Sequence, residues 1–300
     1  MDFTARIALD VVQVIALVLL AAGLCIRKRW AHLLRAGGWA ALGIFWGFHA
    51  PIYAGIEDWV NALGAGMALP IFCYLGYHEY LSHKWDDEYP PLRFVGTAML
   101  VASAGYFIFD RVPILSGALI LVVGYESVAL VNLTGTNFGV SGLDYAGNPW
   151  YYRLNPDPAA EVSAPLAGID IRIILACTAI QAFLILGAFA FASRAELKRK
   201  LLTFGAIAPV VYVANILRNA LVIWLVHVNG PGYFDVAHHL IGKGLSLGVL
   251  VVLVLAAFRL LPELYEDING LFDLFWRKGP GHDYLGSIGR VLEVAKQTPK

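Results

Sequence analysis

Residues 240–261 read LIGKGLSLGVLVVLVLAAFRLL, and this stretch decides the class of protein. Its charged side chains, Lys243 and Arg259, stand near the ends, and the residues between them are apolar or small. As an α-helix the stretch is about 33 Å long, which matches the roughly 30 Å hydrocarbon core of a bilayer. We therefore predict that it crosses a membrane as a helix.

The composition of the whole chain agrees with a membrane protein. Of its 300 residues, 59% are hydrophobic and only 15% are charged, and the mean hydropathy is +0.66. In typical soluble domains about a quarter of all residues are charged. The formal net charge is zero, so no basic surface indicates binding to nucleic acid.

Seven further stretches meet the criterion of about 20 mostly apolar residues, which makes eight predicted spanning helices. The eight cover residues 5–26, 36–54, 60–77, 94–109, 114–133, 171–192, 202–226 and 240–261. We predict an all-α fold, a polytopic membrane helix bundle, for residues 1–265. Residues 266–300, in which apolar and basic side chains mix, are predicted to form a cytoplasmic amphipathic tail.

Lysine and arginine are concentrated in four segments, residues 27–35, 84–93, 194–200 and 277–300. Short cytoplasmic loops collect basic residues, so we place these segments in the cytoplasm. The N-terminus is then predicted outside and the C-terminus inside. The long connection 134–170, rich in Gly, Pro and aromatic residues, is predicted to be external, where it can cap a site at the outer surface.

Arg218 is the most informative charge because it lies in the middle of the predicted 202–226 helix, flanked by asparagines. A guanidinium keeps its charge in any protein environment, so an Arg in a spanning helix needs an anionic or strongly polar partner. Two interpretations follow. Arg218 belongs to a functional site, or it forms a structural ion pair with Glu126 or Asp10.

The three cysteines, Cys25, Cys73 and Cys177, form no C-x-x-C pair. Their spacing indicates neither a disulfide framework nor a zinc site, and we predict no metal and no cofactor. Cys25 and Cys73 fall in the predicted inner halves of spans, where a cysteine is usually an inert small hydrophobe. Cys177 is predicted two turns into the 171–192 helix from its outer end. Its depth is then similar to that of Arg218, and a nearby guanidinium favours the nucleophilic thiolate.

Two histidines, His238 and His239, stand at the predicted outer end of the last span, in the stretch FDVAHHLIG at residues 234–242. A histidine at that level can take a proton from a thiol. Ordinary solvated histidines at a membrane interface give the same pattern.

Two further stretches look like parts of other kinds of site. Residues 139–142 read GVSG, the G-x-S-G of rhomboid serine proteases, but they fall in a predicted loop and not at the start of a span. Residues 78–86 read HEYLSHKWD, which mixes histidines with acidic residues as metal sites do. They lie at the predicted cytoplasmic rim, where we interpret them as a solvated loop.

Three motifs in the last third of the chain resemble those of the archaeosortase/exosortase family. They are ACTAIQ around Cys177, NILRN around Arg218 and AHHLIG around His238. The likeness covers residues 171–259, and the earlier spans match only in kind. The resemblance implies a membrane-embedded cysteine transpeptidase.

The same resemblance implies substrates and a location. Members of the archaeal branch process surface proteins, such as S-layer glycoprotein, that bear a C-terminal tripartite signal of P-G-F type. Cleavage near the motif is followed by attachment of the new C-terminus to a membrane phospholipid. The implied place of action is the extracellular face of the cell membrane.

Residue roles also carry over from the resemblance. Cys177 would be the nucleophile that forms an acyl-thioester, and Arg218 would donate a proton or hydrogen bonds to the tetrahedral oxyanion. Either His238 or Arg259 would be the third member of the site. Arg259 lies roughly 30 Å below the outer end of its predicted helix, whereas His238 lies at that end.

Two other classes of protein fit parts of the pattern. A transporter would use Arg218 as an intramembrane anion site and Cys177 for packing, and inverted repeats, of which the sequence shows none, would support it. A rhomboid-like intramembrane serine protease would use Ser141 and a histidine in a span. Inhibition by thiol reagents distinguishes the cysteine enzyme from the serine enzyme.

Overall fold

The computed structural model describes residues 3–141, 143, 159–164 and 168–277. The chain divides into two compact units. The first comprises Met1–Thr97 and Glu266–Lys300, and the second comprises Ala98–Tyr265. The candidate residues of the proposed site, Cys177, Arg218, His238 and Arg259, all belong to the second unit.

The described residues are largely helical and carry one small sheet. The helices are α1 (Phe3–Cys25), α2 (Ala31–Gly55), α3 (Trp59–Trp85), α4 (Pro90–Arg111), α5 (Pro113–Asn132), α6 (Ile180–Ala192), α7 (Leu197–Asn229), α8 (Lys243–Leu260) and α9 (Pro262–Phe272). The strands are β1 (Gly139–Val140), β2 (Ala159–Ala164) and β3 (Ile169–Ile174).

Six helical stretches of the described residues are long and apolar enough to cross a membrane. They are Ile7–Cys25, Trp59–Trp85, Pro90–Arg111, Pro113–Asn132, Leu197–Asn229 and Pro231–Leu260. Helix α2 is not among them, and α6 has only 13 residues. The polytopic, mainly helical class is confirmed, whereas the predicted number of eight spans is not.

The predicted helix over residues 171–192 is wrong in its first half. Residues 169–174 form strand β3, in which Ile169, Ile171 and Ile173 are buried and the residues between them are exposed. Apolar and polar side chains that alternate with a period of two are typical of a half-buried strand. The charged residues Asp170 and Arg172 sit at the exposed positions, which a lipid-facing helix would not tolerate.

The three strands form an antiparallel sheet in the order β1-β2-β3. In the β2-β3 hairpin Ser163 pairs with Asp170, and Ala159 pairs with Ile174. The sheet packs on α5, where a Cβ at Gly124 would meet Val140 at 3.5 Å. Part of the connection predicted as a loop, residues 134–170, is therefore a folded sheet that leads into the Cys177 segment; residues 142, 144–158 and 165–167 lie outside the described ones.

Helices α4 and α5 follow one another with a single residue, Val112, between them. Pro113 is the first residue of α5, and its missing N–H accounts for the break at that point. Two antiparallel helices need a loop of about two to five residues. The single residue between α4 and α5 is shorter than such a loop.

The first unit contains a buried ionic cluster. Glu79, fully buried on α3, accepts hydrogen bonds from Arg35 Nε at 2.8 Å and pairs with His32 Nδ1 at 2.8 Å. Arg35 is itself buried and reaches Glu88 Oε1 at 3.1 Å. The interpretation of residues 78–86 as a solvated loop is thus wrong, because Glu79 closes a charge network inside the unit.

The end of the described chain docks on the same unit through Arg277. Its guanidinium donates to the His78 carbonyl at 3.1 Å and to Asp87 Oδ2 at 3.0 Å, and it lies 4.7 Å from the centre of the Tyr89 ring. The Tyr89 hydroxyl donates to the Gly270 carbonyl at 2.8 Å. Burial and, next, the charge of Asp273 raise the pKa of Tyr89, which keeps the phenol in its donor form. Residues 278–300 of the predicted tail lie outside the described residues.

We expect Glu79→Gln to lower the free energy of unfolding by about 3–5 kcal/mol, because it removes the buried counter-charge of Arg35 and leaves only the half-exposed Glu88. Glu88 is the matched control, since its side chain is 45% exposed and touches the same Arg35. For Glu88→Gln we expect a loss of about 1 kcal/mol or less. Thermal unfolding in detergent micelles, followed by the loss of helical circular dichroism, measures both. Equal losses in the two variants would contradict the assignment of Glu79 as the central anion.

Candidate active site

Cys177 lies in a tight turn between a strand and a helix. Strand β3 ends at Ile174, and Leu175–Cys177 form a single 3₁₀ turn. The hydroxyl and the N–H of Thr178 both donate to the Leu175 carbonyl, at 2.7 and 3.0 Å, and close the turn. The predicted position of Cys177 two turns inside a helix is wrong, because the helix starts after it.

The residue that joins this turn to α6 has an unusual backbone conformation. Ala179 adopts left-handed angles, φ 59° and ψ 5°, and α6 begins at Ile180. For a residue with a Cβ this conformation costs roughly 1–2 kcal/mol, and such strain is concentrated at functional sites. The half-buried Cys177 thus sits on a sharp, strained strand-to-helix turn. By analogy, turns of this kind present the serine nucleophile of α/β-hydrolases.

Two asparagine side chains of α7 hold the backbone of Cys177. Asn215 Nδ2 and Asn219 Nδ2 donate to the Cys177 carbonyl oxygen at 2.8 and 3.0 Å. The two asparagines are four residues apart and therefore lie on one face of the helix. A carbonyl oxygen has two lone pairs, so this pair of donors satisfies it fully. We call Asn215 and Asn219 the asparagine clamp.

Arg218 lies between the two members of the clamp and is buried, with 8% of its surface exposed. Its Nη1 donates to Asn219 Oδ1 at 3.1 Å, and its Nη2 lies 3.4 Å from His238 Nδ1. Its Nε is buried and has no hydrogen-bond partner among the described residues. Asn219 therefore links the backbone of Cys177 to the guanidinium through its two amide atoms.

The structural ion pair of Arg218 with Glu126 is not formed. No carboxylate among the described residues of the second unit lies within ion-pair distance of the guanidinium. Glu126 instead accepts a hydrogen bond from the Tyr212 hydroxyl at 2.5 Å. The described contacts of Arg218 are an amide oxygen and an imidazole, which are both neutral acceptors. Its positive charge therefore stays available to an anion.

His238 lies on a π-helical turn, Val236–Gly242, that leads into α8. Turns of this kind are frequent at functional sites. The imidazole stacks on Phe234, with centroids 5.2 Å apart and planes within 7°. Because a guanidinium only donates, the Nδ1 that faces Arg218 is the acceptor, which places the proton of the neutral ring on Nε2. His239 points elsewhere, being exposed and 4.0 Å from Asp235.

Gly242 leaves room for the guanidinium. A Cβ at this position would lie 3.2 Å from Arg218 Nε, from Val222 Cγ2 and from the Ala237 carbonyl. Such contacts are tighter than most real Cβ contacts, so any larger residue would displace Arg218 or the π-helical turn. This explains in physical terms why the stretch AHHLIG ends in glycine.

Arg259 is not brought to this cluster. It is exposed near the end of α8, 17 residues after Gly242, which corresponds to about 26 Å of helix. Of the two candidates for a third member, His238 is the one that the fold brings to Arg218. The role of either residue stays a prediction.

The remaining candidate residues have other surroundings. Ser141 accepts from the Glu161 N–H at 3.1 Å and donates to the Glu161 carbonyl at 3.3 Å, so its hydroxyl extends the sheet hydrogen bonding. Cys25 and Cys73 belong to the first unit. Among the residues that the structure describes, no group of three His, Cys, Asp or Glu side chains is placed to hold a metal ion.

The sequence did not predict a role for the asparagine clamp or for Gly242. Asn215 and Asn219 stood out only as the residues that flank Arg218. Their spacing of four residues was the available signal, because it puts both amides on one face of α7. Together with Arg218 they connect the backbone of Cys177 to a guanidinium that also contacts the imidazole of His238. A thiol, a fixed cation and an imidazole are the groups that thioester chemistry uses.

The family comparison covers the whole of this cluster. A family model for transmembrane exosortase (Exosortase_EpsH) matches residues 9–256, a range that includes Cys177, Arg218 and His238 and ends before Arg259. Comparisons with curated proteins and with solved structures gave no match. Exosortases are membrane cysteine transpeptidases that act on C-terminal sorting signals. The match spans most of the 300 residues, and this multi-pass membrane chain therefore belongs to the transmembrane exosortase family.

Proposed function

We propose that this exosortase is a cysteine transpeptidase similar to archaeosortase A. It cleaves the C-terminal tripartite signal, of P-G-F type, of surface proteins such as S-layer glycoprotein and joins the new C-terminus to a membrane phospholipid. The observation that carries the proposal is the asparagine clamp, because it ties the Cys177 turn to the helix face that holds the buried Arg218.

In the first step Cys177 Sγ attacks the carbonyl carbon of the scissile peptide bond. His238 accepts the thiol proton on Nδ1, the ring nitrogen that faces Arg218. A protonated Nδ1 no longer accepts from a guanidinium, so Arg218 Nη2 is released at the moment when an oxyanion forms. The same histidine then returns the proton to the leaving amine.

Arg218 stabilises the tetrahedral oxyanion. Its Nε is without a partner in the described residues, and its Nη2 contact with His238 is long at 3.4 Å, so both groups are available as donors. A fixed cation in a site of low polarity stabilises a developing negative charge far better than it would in water. Exclusion of water also favours resolution of the thioester by a lipid headgroup over hydrolysis.

The site faces the outside of the membrane in this proposal. Termini on opposite sides require an odd number of crossings, which eight cannot provide. We place the basic segments 84–93 and 194–200 in the cytoplasm, with an odd number of crossings between each of them and the Cys177 turn. Residues 134–170 and the Cys177 turn are then external.

Cys177→Ala is expected to abolish signal cleavage while the protein remains in the membrane, because it removes the nucleophile. Cys25→Ala and Cys73→Ala are the matched controls, since both cysteines lie in the first unit, and we expect them to be close to neutral. The measurement is the shift of a substrate to its processed, lipid-linked form in membranes. Processing by the Cys177 variant at the wild-type rate would refute the proposal.

Arg218→Lys is expected to lower turnover by about 10²-fold or more, the scale seen when one oxyanion donor is removed. Lysine keeps the charge but loses the planar fork that reaches Asn219 and His238 together. Gly242→Ala tests the same guanidinium without replacing it, because the new Cβ crowds Nε. Gly244→Ala is its control, since a Cβ there meets nothing within 4 Å.

We expect turnover of substrate to fall for Arg218→Lys and Gly242→Ala and to stay normal for Gly244→Ala, with all three variants equally abundant in membranes. A near-normal rate for the lysine variant would remove Arg218 from the catalytic group.

A further inference from the structure

Glu126 is an ionisable side chain in a spanning helix that the proposed chemistry leaves unused. It lies on α5 and is exposed, and its carboxylate accepts from the Tyr212 hydroxyl at 2.5 Å. In the described part of the chain no Lys, Arg or His lies within ion-pair distance of it. Charged groups in such helices are unfavourable in lipid and usually mark a functional site.

The Glu126–Tyr212 pair lies beside the candidate active site. On α7, Tyr212, Asn215 and Asn219 follow one another at intervals of three and four residues, so they share one face of the helix. Tyr212 is about 4.5 Å along the axis from Asn215, whose amide holds the Cys177 carbonyl. Helix α5 also contacts the Leu175–Cys177 turn directly.

The pair is accessible from the side of the helix bundle. Its neighbours on α5, Val122 and Tyr125, are 48% and 55% exposed, and both are apolar or aromatic surfaces suited to lipid. A molecule that approaches Glu126 therefore comes from the bilayer and meets an anion one helical turn from the asparagine clamp.

We propose that Glu126 and Tyr212 bind the headgroup amine of the acceptor lipid and that Glu126 takes its proton. The inference rests on the proposed function, because it needs the acyl-thioester on Cys177. A carboxylate gains charge attraction from an ammonium group and none from a hydroxyl, so the site selects an aminolipid over a lipid with a hydroxyl headgroup. Tyr212 orients the carboxylate by donating to one of its oxygens.

Atoms and protons are conserved in the transfer step. The lipid ammonium gives one proton to the Glu126 carboxylate and becomes a neutral amine. The amine nitrogen attacks the thioester carbonyl, a C–N bond forms, and the C–S bond breaks with the electron pair leaving on Cys177 Sγ. The second proton lost by the nitrogen goes to that thiolate, which restores the thiol. Glu126 then releases its proton to water.

The test uses the purified full chain in vesicles with a protein that carries a sorting signal of the tripartite type. One set of vesicles contains phosphatidylethanolamine as the only amine source, and the other contains phosphatidylglycerol. For the wild type we expect lipid-linked product in the first set and a rate at least roughly tenfold lower in the second. Glu126→Gln should lower the transfer rate by about 10²-fold, the lower range for loss of a general base, so that acyl-Cys177 or its hydrolysis product accumulates.

Controls separate this inference from the proposed function. Tyr212→Phe keeps the Glu126 carboxylate and removes only the hydroxyl that orients it, so we expect a smaller fall in the transfer rate. This variant also tests the site if Glu126→Gln fails to fold. Glu196→Gln, an exposed acid at the start of α7, should behave as wild type.

Lipid-linked product formed by Glu126→Gln at the wild-type rate, or equal rates for the wild type in both kinds of vesicle, would overturn the acceptor site. Cleavage that survives Cys177→Ala, or no cleavage by the wild type, would instead overturn the proposed function together with it.

Discussion

The burial of one guanidinium, with no carboxylate partner among the described residues of the second unit, is the constraint on which that unit depends. Arg218 cannot lose its charge, and it lies in a helix that is long and apolar enough to cross a membrane. Its surroundings supply neutral acceptors, an amide oxygen from Asn219 and an imidazole nitrogen from His238. Neutral partners offset part of the desolvation cost but leave the positive field uncancelled. That field is what a reaction with a developing oxyanion needs.

The same amide that accepts from Arg218 also fixes the Cys177 turn. Asn219 uses its oxygen for the guanidinium and its nitrogen for the Cys177 carbonyl, so the cation and the turn cannot move independently. Asn215 adds a second donor to that carbonyl from one turn away. The two asparagines therefore hold the turn through its backbone carbonyl and not through the thiol. The strained Ala179 that follows agrees with a turn fixed by its neighbours.

The sequence predicted the helices around the site well because their apolar runs are long. The predicted limits of α5 agree with the structure to within one residue, and those of α7 to within five. Arg218 was identified only because a charged side chain is unfavourable in lipid. Residues 171–179 were misassigned to a helix. For the strand residues 171–174 the reason is that a hydropathy window registers the isoleucines and not their period of two, although Asp170 and Arg172 marked the exposed face. The role of Asn215 and Asn219 depends on the carbonyl of Cys177, about 40 residues away in the chain. Every residue has a backbone carbonyl, so the sequence does not indicate which one accepts these hydrogen bonds. The buried Glu79 network was missed for a similar reason, since its partners come from α2.

In the proposed mechanism Cys177 carries the acyl group between cleavage and transfer. Rapid denaturation of the enzyme during turnover, followed by mass spectrometry of the intact protein and of its peptides, tests this most directly. We expect a substrate-derived mass on the peptide that contains Cys177, removable by hydroxylamine as a thioester is. A stable adduct on another residue such as Ser141, or turnover of substrate with no adduct on Cys177 under conditions that slow the transfer step, would contradict it.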